Sequence, residues 1–329
     1  MPRQAWHGLL RESPIDPGRA IVDAHHHLWR ANEGPHPGPA YLHDQLLADI
    51  AERNVIGTIY VESGVGLRRD GPEELRGVGE TEFAASQAAA SAGTKSPIVG
   101  IIAGADLRLR DRLEGVLDAH EEVGAGLFRG IRQRHDRSAP GPAYTPLTDP
   151  SVRPAIALLT RRDFTFDAQA AFSQLEELAA FADAAPDTRI VLQHLGMPLT
   201  GGRFGPAAEV LETWRKGIAR LALSPNVTIK LGGIGMDSLY GMGWAERALP
   251  PSSDEVAAWW GDKIRLCIDS FGPSRCMFES NFPVDGEGLG YGVMWNAFSK
   301  IAECYSQSER DDLFAGTASR TYRLERGRA

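Results

Sequence analysis

Residues 21–30 read IVDAHHHLWR: a short apolar run interrupted by an aspartate, then three histidines in succession. A β-branched start of this length predicts a strand. Alternate side chains of a strand share a face, so Asp23, His25 and His27 are expected on one side and His26 on the other. Two imidazoles two positions apart on one face can share one cation, since neutral imidazole is a ligand for metals such as zinc and iron. A hydrogen-bonded structural pair is the bland alternative for an isolated His-x-His. At a strand end among other polar strand ends, metal ligation is the expectation, with His26 structural.

Outward from this segment, apolar or β-branched runs alternate with helical patterns. Further strands are expected at 56–63, 97–106, 126–133, 163–168, 189–196, 226–233 and 275–282. Between them lie stretches with apolar residues at helical spacing, several opening on Ser, Asp or Pro. Strand–helix alternation repeated about eight times predicts an α/β fold with a parallel sheet. A (β/α)8 TIM barrel takes ~250 residues. The 329 residues then divide into an N-terminal arm, 1–18, and one barrel domain, 19–329, with long βα loops. An open doubly wound sheet is the competing architecture, weakened by the lack of GxGxxG or a P-loop. The loops at 134–151 and 232–253 are the long ones, and long loops on one face of a barrel make the substrate pocket. The second is rich in Gly, Met and aromatics (Met236, Tyr240, Met242, Trp244), which suits a ring-bearing ligand.

Polar residues at the predicted strand ends are the candidates for chemistry, because catalytic groups of a barrel sit there. His194 comes after the three apolar residues Ile190, Val191 and Leu192, with Gln193 between, and precedes Leu-Gly. Glu279 and Asn281 share a face at the end of the last strand. Glu279 can bind a metal or shuttle a proton. Asn281 can only orient a water or substrate. Asp285, two residues past Pro283, reads first as a turn residue. Glu62 and Asp167 are further cation ligands by type, and Asp106, Arg129 and Gln169 are other polar strand ends. Arg132 offers a planar fork for a substrate carboxylate. Lys230 is either a charge partner for one of these acids within the site or part of an internal salt bridge. His36, His43, His120 and His135 fall in helical or loop contexts and are expected in solvent.

Composition narrows the class. Apolar residues are 43% and charged residues 24%, with a net charge of −8. No global attraction to nucleic acid or anionic lipid is expected. No apolar stretch approaches ~20 residues, so no membrane span is expected. The opening MPRQAWHGLLRESP lacks the apolar core of a signal peptide. Three scattered cysteines suit a reducing cytoplasm, with Cys267 in a helix and Cys276 in a strand as buried thiols. No GxSxG elbow supports a serine hydrolase.

The segments DAHHHLW, VLQHLGMP, VTIKLGG and RCMFESNFPVD resemble the amidohydrolase superfamily, in its amidohydrolase-related (amidohydrolase 2) branch. The resemblance runs in order from Asp23 to about Tyr322. It implies a (β/α)8 barrel, and a branch that holds lactonases for sugar lactones and pyrone-dicarboxylate, decarboxylases of aromatic acids and a few non-heme iron oxygenases. It places His25 and His27 at the family His-x-His and His194 at the histidine before Leu-Gly. Many lactonases of this branch end their last strand Gly-Ser-Asp-Trp-Pro, with the Asp as general acid/base. Here that segment is Glu279-Ser280-Asn281-Phe282-Pro283, so an amide stands at the catalytic position. An amide takes no proton from attacking water; either Glu279 takes over or the reaction is not the usual hydrolysis. The fourth strand carries no lysine signature for carboxylation, which argues against a binuclear zinc centre.

The expectation is a metal-dependent hydrolase opening a lactone or similar carbonyl ring of a small organic acid. His25, His27, His194, Glu279 and Glu62 are the candidate ligands of a divalent zinc, manganese or iron ion. Glu279, Asn281 and His194 are the candidate catalytic groups, and Arg132, Tyr240 and Trp244 would contact an anionic or ring-bearing substrate. A non-heme iron oxygenase, with Glu62 added to Glu279 and the histidines, is the second reading. An inactive partner subunit is the third. The resemblance also implies a homo-oligomer.

Overall fold

The computed structural model describes residues 3–33, 38–134, 147, 149–200 and 204–324. Eight strands form one parallel sheet in chain order: β1 (Ile21–His26), β2 (Val55–Val61), β3 (Ile98–Gly104), β4 (Phe128–Arg134), β5 (Thr165–Gln169), β6 (Ile190–Leu192), β7 (Val227–Lys230) and β8 (Cys276–Met277). Helices alternate with them, so the architecture is the expected (β/α)8 barrel. The longest helix, Ser253–Phe271, begins with a capping box in which Ser252 accepts from the Glu255 amide and Glu255 from the Ser252 amide. That reciprocal pair satisfies two otherwise orphaned donors. The short helix His43–Asp49 between β1 and β2 was not expected from the sequence.

The sheet stands between two apolar clusters. Tyr60, Ile101, Phe166, Ile190, Ile229 and Phe278 face the helices in one large cluster. Val22, Ala24, Ile59, Val61, Ile102, Val191 and Met277 fill the barrel interior. From below, the last described helix, Thr317–Tyr322, adds the Tyr322 ring to that interior cluster.

The β8–β1 seam closes differently from the other pairs. The eighth strand was expected over 275–282, but regular pairing stops at Met277. Phe278 N donates to Leu313 O, and Ser280 N to the Asp23 carboxylate. Asn281 then takes a positive φ of 53° and donates to His25 O at 2.8 Å, while His27 N donates to Phe282 O at 2.7 Å. A single parallel bridge, His26 to Phe282, thus closes the seam beside the histidines, next to the bond of Ser280 N to Asp23.

The N-terminal segment packs on the loops after β7 and β8. Trp6 Nε1 donates to Arg247 O, the His7 ring meets Gly286 O at 2.8 Å, and Glu12 accepts from Ser253 N and from Asn296. Cys267 and Cys276 are buried thiols, as expected. No described helix is long and apolar enough to cross a membrane.

Candidate active site

Three strand ends bring His25, His27, His194 and Glu279 together. A register shift in β1 between Asp23 and His26 turns Ala24 and His25 alike toward the barrel. This corrects the expected alternation: Asp23 does not share a face with His25. Its carboxylate faces outward, accepting from Tyr291 OH at 3.0 Å and Ser280 N at 2.9 Å. Burial pushes the Asp23 carboxyl up to about 6, against the pull of those bonds. His26 points away from the site toward the Tyr60 ring, as expected.

Glu279 lies between two imidazoles. Its Oε1 accepts from the His194 backbone N at 3.1 Å and stands 2.8 Å from His194 Nδ1. Its Oε2 stands 2.8 Å from His25 Nδ1, but off the line of a hydrogen bond, and both atoms are buried. His25 turns its other nitrogen to His27, with the two Nε2 atoms 3.1 Å apart. His27 Nδ1 lies 2.7 Å from Val61 O, so it must carry a proton. Burial first, then the charge of Lys230, holds the His25 ring well below its ordinary pKa, so it is neutral. Ligand atoms of His25, His194 and Glu279 all lie within 4.8 Å of one another.

Glycines let the β7 loop approach this group. A Cβ on Gly232 would collide with Glu279, one on Gly233 would lie 2.5 Å from His194 Nδ1, and one on Gly235 would lie 2.8 Å from Asp285 Cβ. Gly233 also has φ of +67°, a conformation open to glycine and costly for other residues.

Under the histidines runs a buried polar column. Lys230 Nζ lies 3.0 Å from Asp167 Oδ2, which also accepts from Tyr322 OH at 2.7 Å and Gln193 Nε2 at 3.3 Å. Lys230 is therefore an internal salt bridge beneath the site, one of its two expected roles.

Other expected site residues lie elsewhere. Glu62 is turned to Arg132, whose Nε donates to Glu62 Oε1 at 2.6 Å and whose Nη1 donates to Gln193 Oε1 at 3.3 Å. The fork expected to meet a substrate carboxylate thus meets an internal one, and Glu62 does not join the histidines. Arg132 and Glu62 border a cleft of about 260 Å3 with Gly104, Asp106, Arg108 and Gln133. Asp106 is held by Arg108 at 2.7 Å. Tyr240 and Trp244 pack edge-on against Trp260 and Trp259 of the helix Ser253–Phe271.

His43 and His120 are buried rather than solvated. His43 Nε2 meets Ser96 O, and His120 Nδ1 meets Thr81 Oγ1 while its ring stacks on Phe128. Both sit on the inner faces of helices, where the ring buries carbon as well as nitrogen. His36, His135 and most of the 134–151 loop lie outside the described residues. Sequence reasoning missed Val61 as partner of His27, because a backbone carbonyl leaves no mark in composition. It also missed the glycine contacts, for which the density of Gly in 232–235 was the available signal.

The comparisons agree with this architecture. The amidohydrolase family profile matches residues 22–324, so the chain belongs to the amidohydrolase family. It is 32% identical over 328 residues to an uncharacterized protein of Sinorhizobium fredii, covering 93% of this chain and 99% of that one. It is 26% identical to L-fucono-1,5-lactonase of Burkholderia ambifaria over 93% of this chain and 96% of that protein. Among solved structures, an amidohydrolase from Burkholderia multivorans with bound zinc matches with a TM-score of 0.74 and 25% identity, covering 93% and 99% of the two chains.

Proposed function

We propose that this protein is a metal-dependent lactonase that opens the ring of a small, hydroxylated lactone. The observation that carries the reading is a conflict of lone pairs at His25. Its ring is neutral, so one nitrogen bears a proton and the other does not. With the proton on Nδ1, the bare Nε2 of His25 faces the bare Nε2 of His27 at 3.1 Å. With the proton on Nε2, bare Nδ1 faces the Glu279 carboxylate at 2.8 Å. Either way two lone pairs meet in a buried site, and an added positive charge resolves it. An extra proton is opposed by the depressed pKa of the ring. A divalent cation fits.

His25, His27 and His194 would hold that cation, and Glu279, touching two of the rings, would orient them as carboxylates do in histidine metal sites. A bound divalent metal supplies Lewis acidity at a carbonyl and lowers the pKa of water. The protein's own groups account for the rest. Asn281 has no proton-accepting pKa, so Glu279 takes the proton of the attacking water. Glu279 then returns that proton to the departing ring oxygen, while His194, whose Nδ1 stands 2.8 Å from Glu279 Oε1, stays a ligand and holds that carboxylate in place. Arg132, already neutralised by Glu62, favours a hydroxyl over a carboxylate on the substrate. The lactonase relative supports the same substrate class. The iron-oxygenase reading drew on Glu62 beside Glu279; with Glu62 on Arg132 that support is gone.

The test is turnover of a panel of sugar 1,5-lactones, followed by acid release, before and after chelation and reconstitution with zinc or manganese. Ring opening that falls with chelation and returns with metal supports the reading. Turnover insensitive to chelation, or oxygen uptake in place of acid release, would sink it.

A further inference from the structure

Behind Asn281 stands a second carboxyl. The turn that follows the positive φ of Asn281 brings Asp285 N to Asn281 O at 3.1 Å. It also folds the Asp285 side chain back onto its neighbour, so that Asn281 Nδ2 donates to Asp285 Oδ1 at 2.7 Å. An amide has two ends, one donating and one accepting. With Nδ2 committed to Asp285, the end turned away is the carbonyl oxygen.

The fold holds Asp285 in place from several sides. The side chain is inaccessible to solvent. The amides of Ile234 and Gly235 face its carboxyl, although Oδ2 makes no close hydrogen bond. Gly235 packs so near that any side chain there would strike Asp285. On the far side, the His7 ring holds the neighbouring Gly286 carbonyl and lies against Phe282. A plain surface turn needs none of this. One loop after β7 approaches all three, Gly232 at Glu279, Gly233 at His194 and Gly235 at Asp285, which ties this carboxyl to the site rather than to the surface.

We propose that Asp285 is a positioning residue. By holding Nδ2 of Asn281 it fixes the amide so that the end of the eighth strand presents an uncharged hydrogen-bond acceptor, which orients a donor: the attacking water or a substrate hydroxyl. The assignment rests on the lactonase reading for its catalytic meaning. It explains how an amide serves where an acid would otherwise stand. The position gives up proton transfer, left to Glu279, and keeps orientation. Burial, reinforced by the Glu279 charge, pushes the Asp285 carboxyl well up, and its Oδ1 accepts the amide proton. An asparagine at 285 has the same shape and an accepting oxygen, so it can keep that bond. An alanine cannot.

The experiment uses the metal-loaded enzyme with 15N-labelled asparagine side chains. In the wild type, an Asn281 Nδ2 proton is expected to exchange slowly with solvent. Asp285→Ala should lose that protection and lower kcat about 100-fold on a sugar lactone, as misplacement of a catalytic group does, with KM and metal content little changed. Asp285→Asn should keep both protection and turnover. Unchanged protection in Asp285→Ala, or fast exchange of both Nδ2 protons in the wild type, overturns the proposal. So does an Asp285→Asn variant that folds, binds metal and loses turnover as Asp285→Ala does. A wild type that shows the protection but opens no lactone rejects the lactonase reading and leaves the Asn281–Asp285 arrangement standing.

Discussion

The carbonyl of Val61 sets the proton of His27. At 2.7 Å from Nδ1 it accepts a hydrogen bond, which in a neutral ring leaves Nε2 of His27 bare and aimed at His25. A residue with no functional side chain thus determines what the first strand offers a cation, while Glu279, at the end of the neighbouring eighth strand, stands 2.8 Å from Nδ1 of both His25 and His194.

Protein purified without chelator is expected to hold a divalent metal in near-stoichiometric amount, and His25→Ala to hold none. Glu279→Gln keeps the imidazoles but loses their carboxylate, and should weaken metal affinity about 10- to 100-fold. Plasma mass spectrometry and metal titration read both. Equal metal in wild type and His25→Ala would remove the site.

Gly233→Ala should disable the site with the barrel still folded. Its Cβ would lie 2.5 Å from His194 Nδ1 on a backbone at φ +67°. The strain is of order 1–3 kcal/mol, and His194 must move away from Glu279. Circular dichroism near that of the wild type, with lactone turnover reduced at least about tenfold, is the expected pair of results. Full activity would mean that the β7 loop does not set the histidine.

Lys230→Met should be costly, because Asp167 is left charged inside the barrel. Breaking a buried pair from one side costs about 3–5 kcal/mol. Adding Asp167→Asn should recover part of that loss, a coupling readable in a double-mutant cycle by urea unfolding. A single-mutant cost below about 1 kcal/mol, the range of an exposed pair, would contradict the arrangement.

Glu80 makes stability fall with rising pH. Its carboxylate accepts from Tyr60 OH at 2.7 Å and from the Ser63 and Gly64 amides, yet burial, then the Glu62 charge, raises its pKa from 4.5 to about 7. Between those values the folded state binds more proton than the unfolded state. The group's contribution is therefore complete below the lower value and lost as pH climbs to the upper one, by at most about 1.4 kcal/mol per pH unit. Glu80→Gln should flatten that slope in urea unfolding across the window, even though it lowers stability throughout. An unchanged slope would remove Glu80 as its source.

The sequence carried the barrel, because eight apolar runs spaced by helical patterns leave few alternatives. It also carried His25, His27, His194 and Glu279, which are strand-end polar groups in otherwise apolar runs. It misplaced Asp23, since a register shift in β1 breaks the two-residue alternation on which the reading stood. Glu62 and Arg132 were read separately as ligand and anion fork. Neither one's strand could reveal that they pair across 70 positions. Asp285 looked like turn chemistry because the fold that returns it to Asn281 depends on one residue at positive φ, which no periodicity encodes.

The seam at Asp23 and Ser280 joins positions 257 apart. On the ribosome, the histidines of β1 therefore emerge long before their lid of β8 residues exists, and Tyr322 arrives later still to plug the floor. Through most of synthesis the growing sheet presents two raw edges, the state most open to mispairing. The cluster of His25, His194 and Glu279 is among the last features to be completed, and a nascent chain stopped short of Ser280 would be an open sheet rather than a closed barrel.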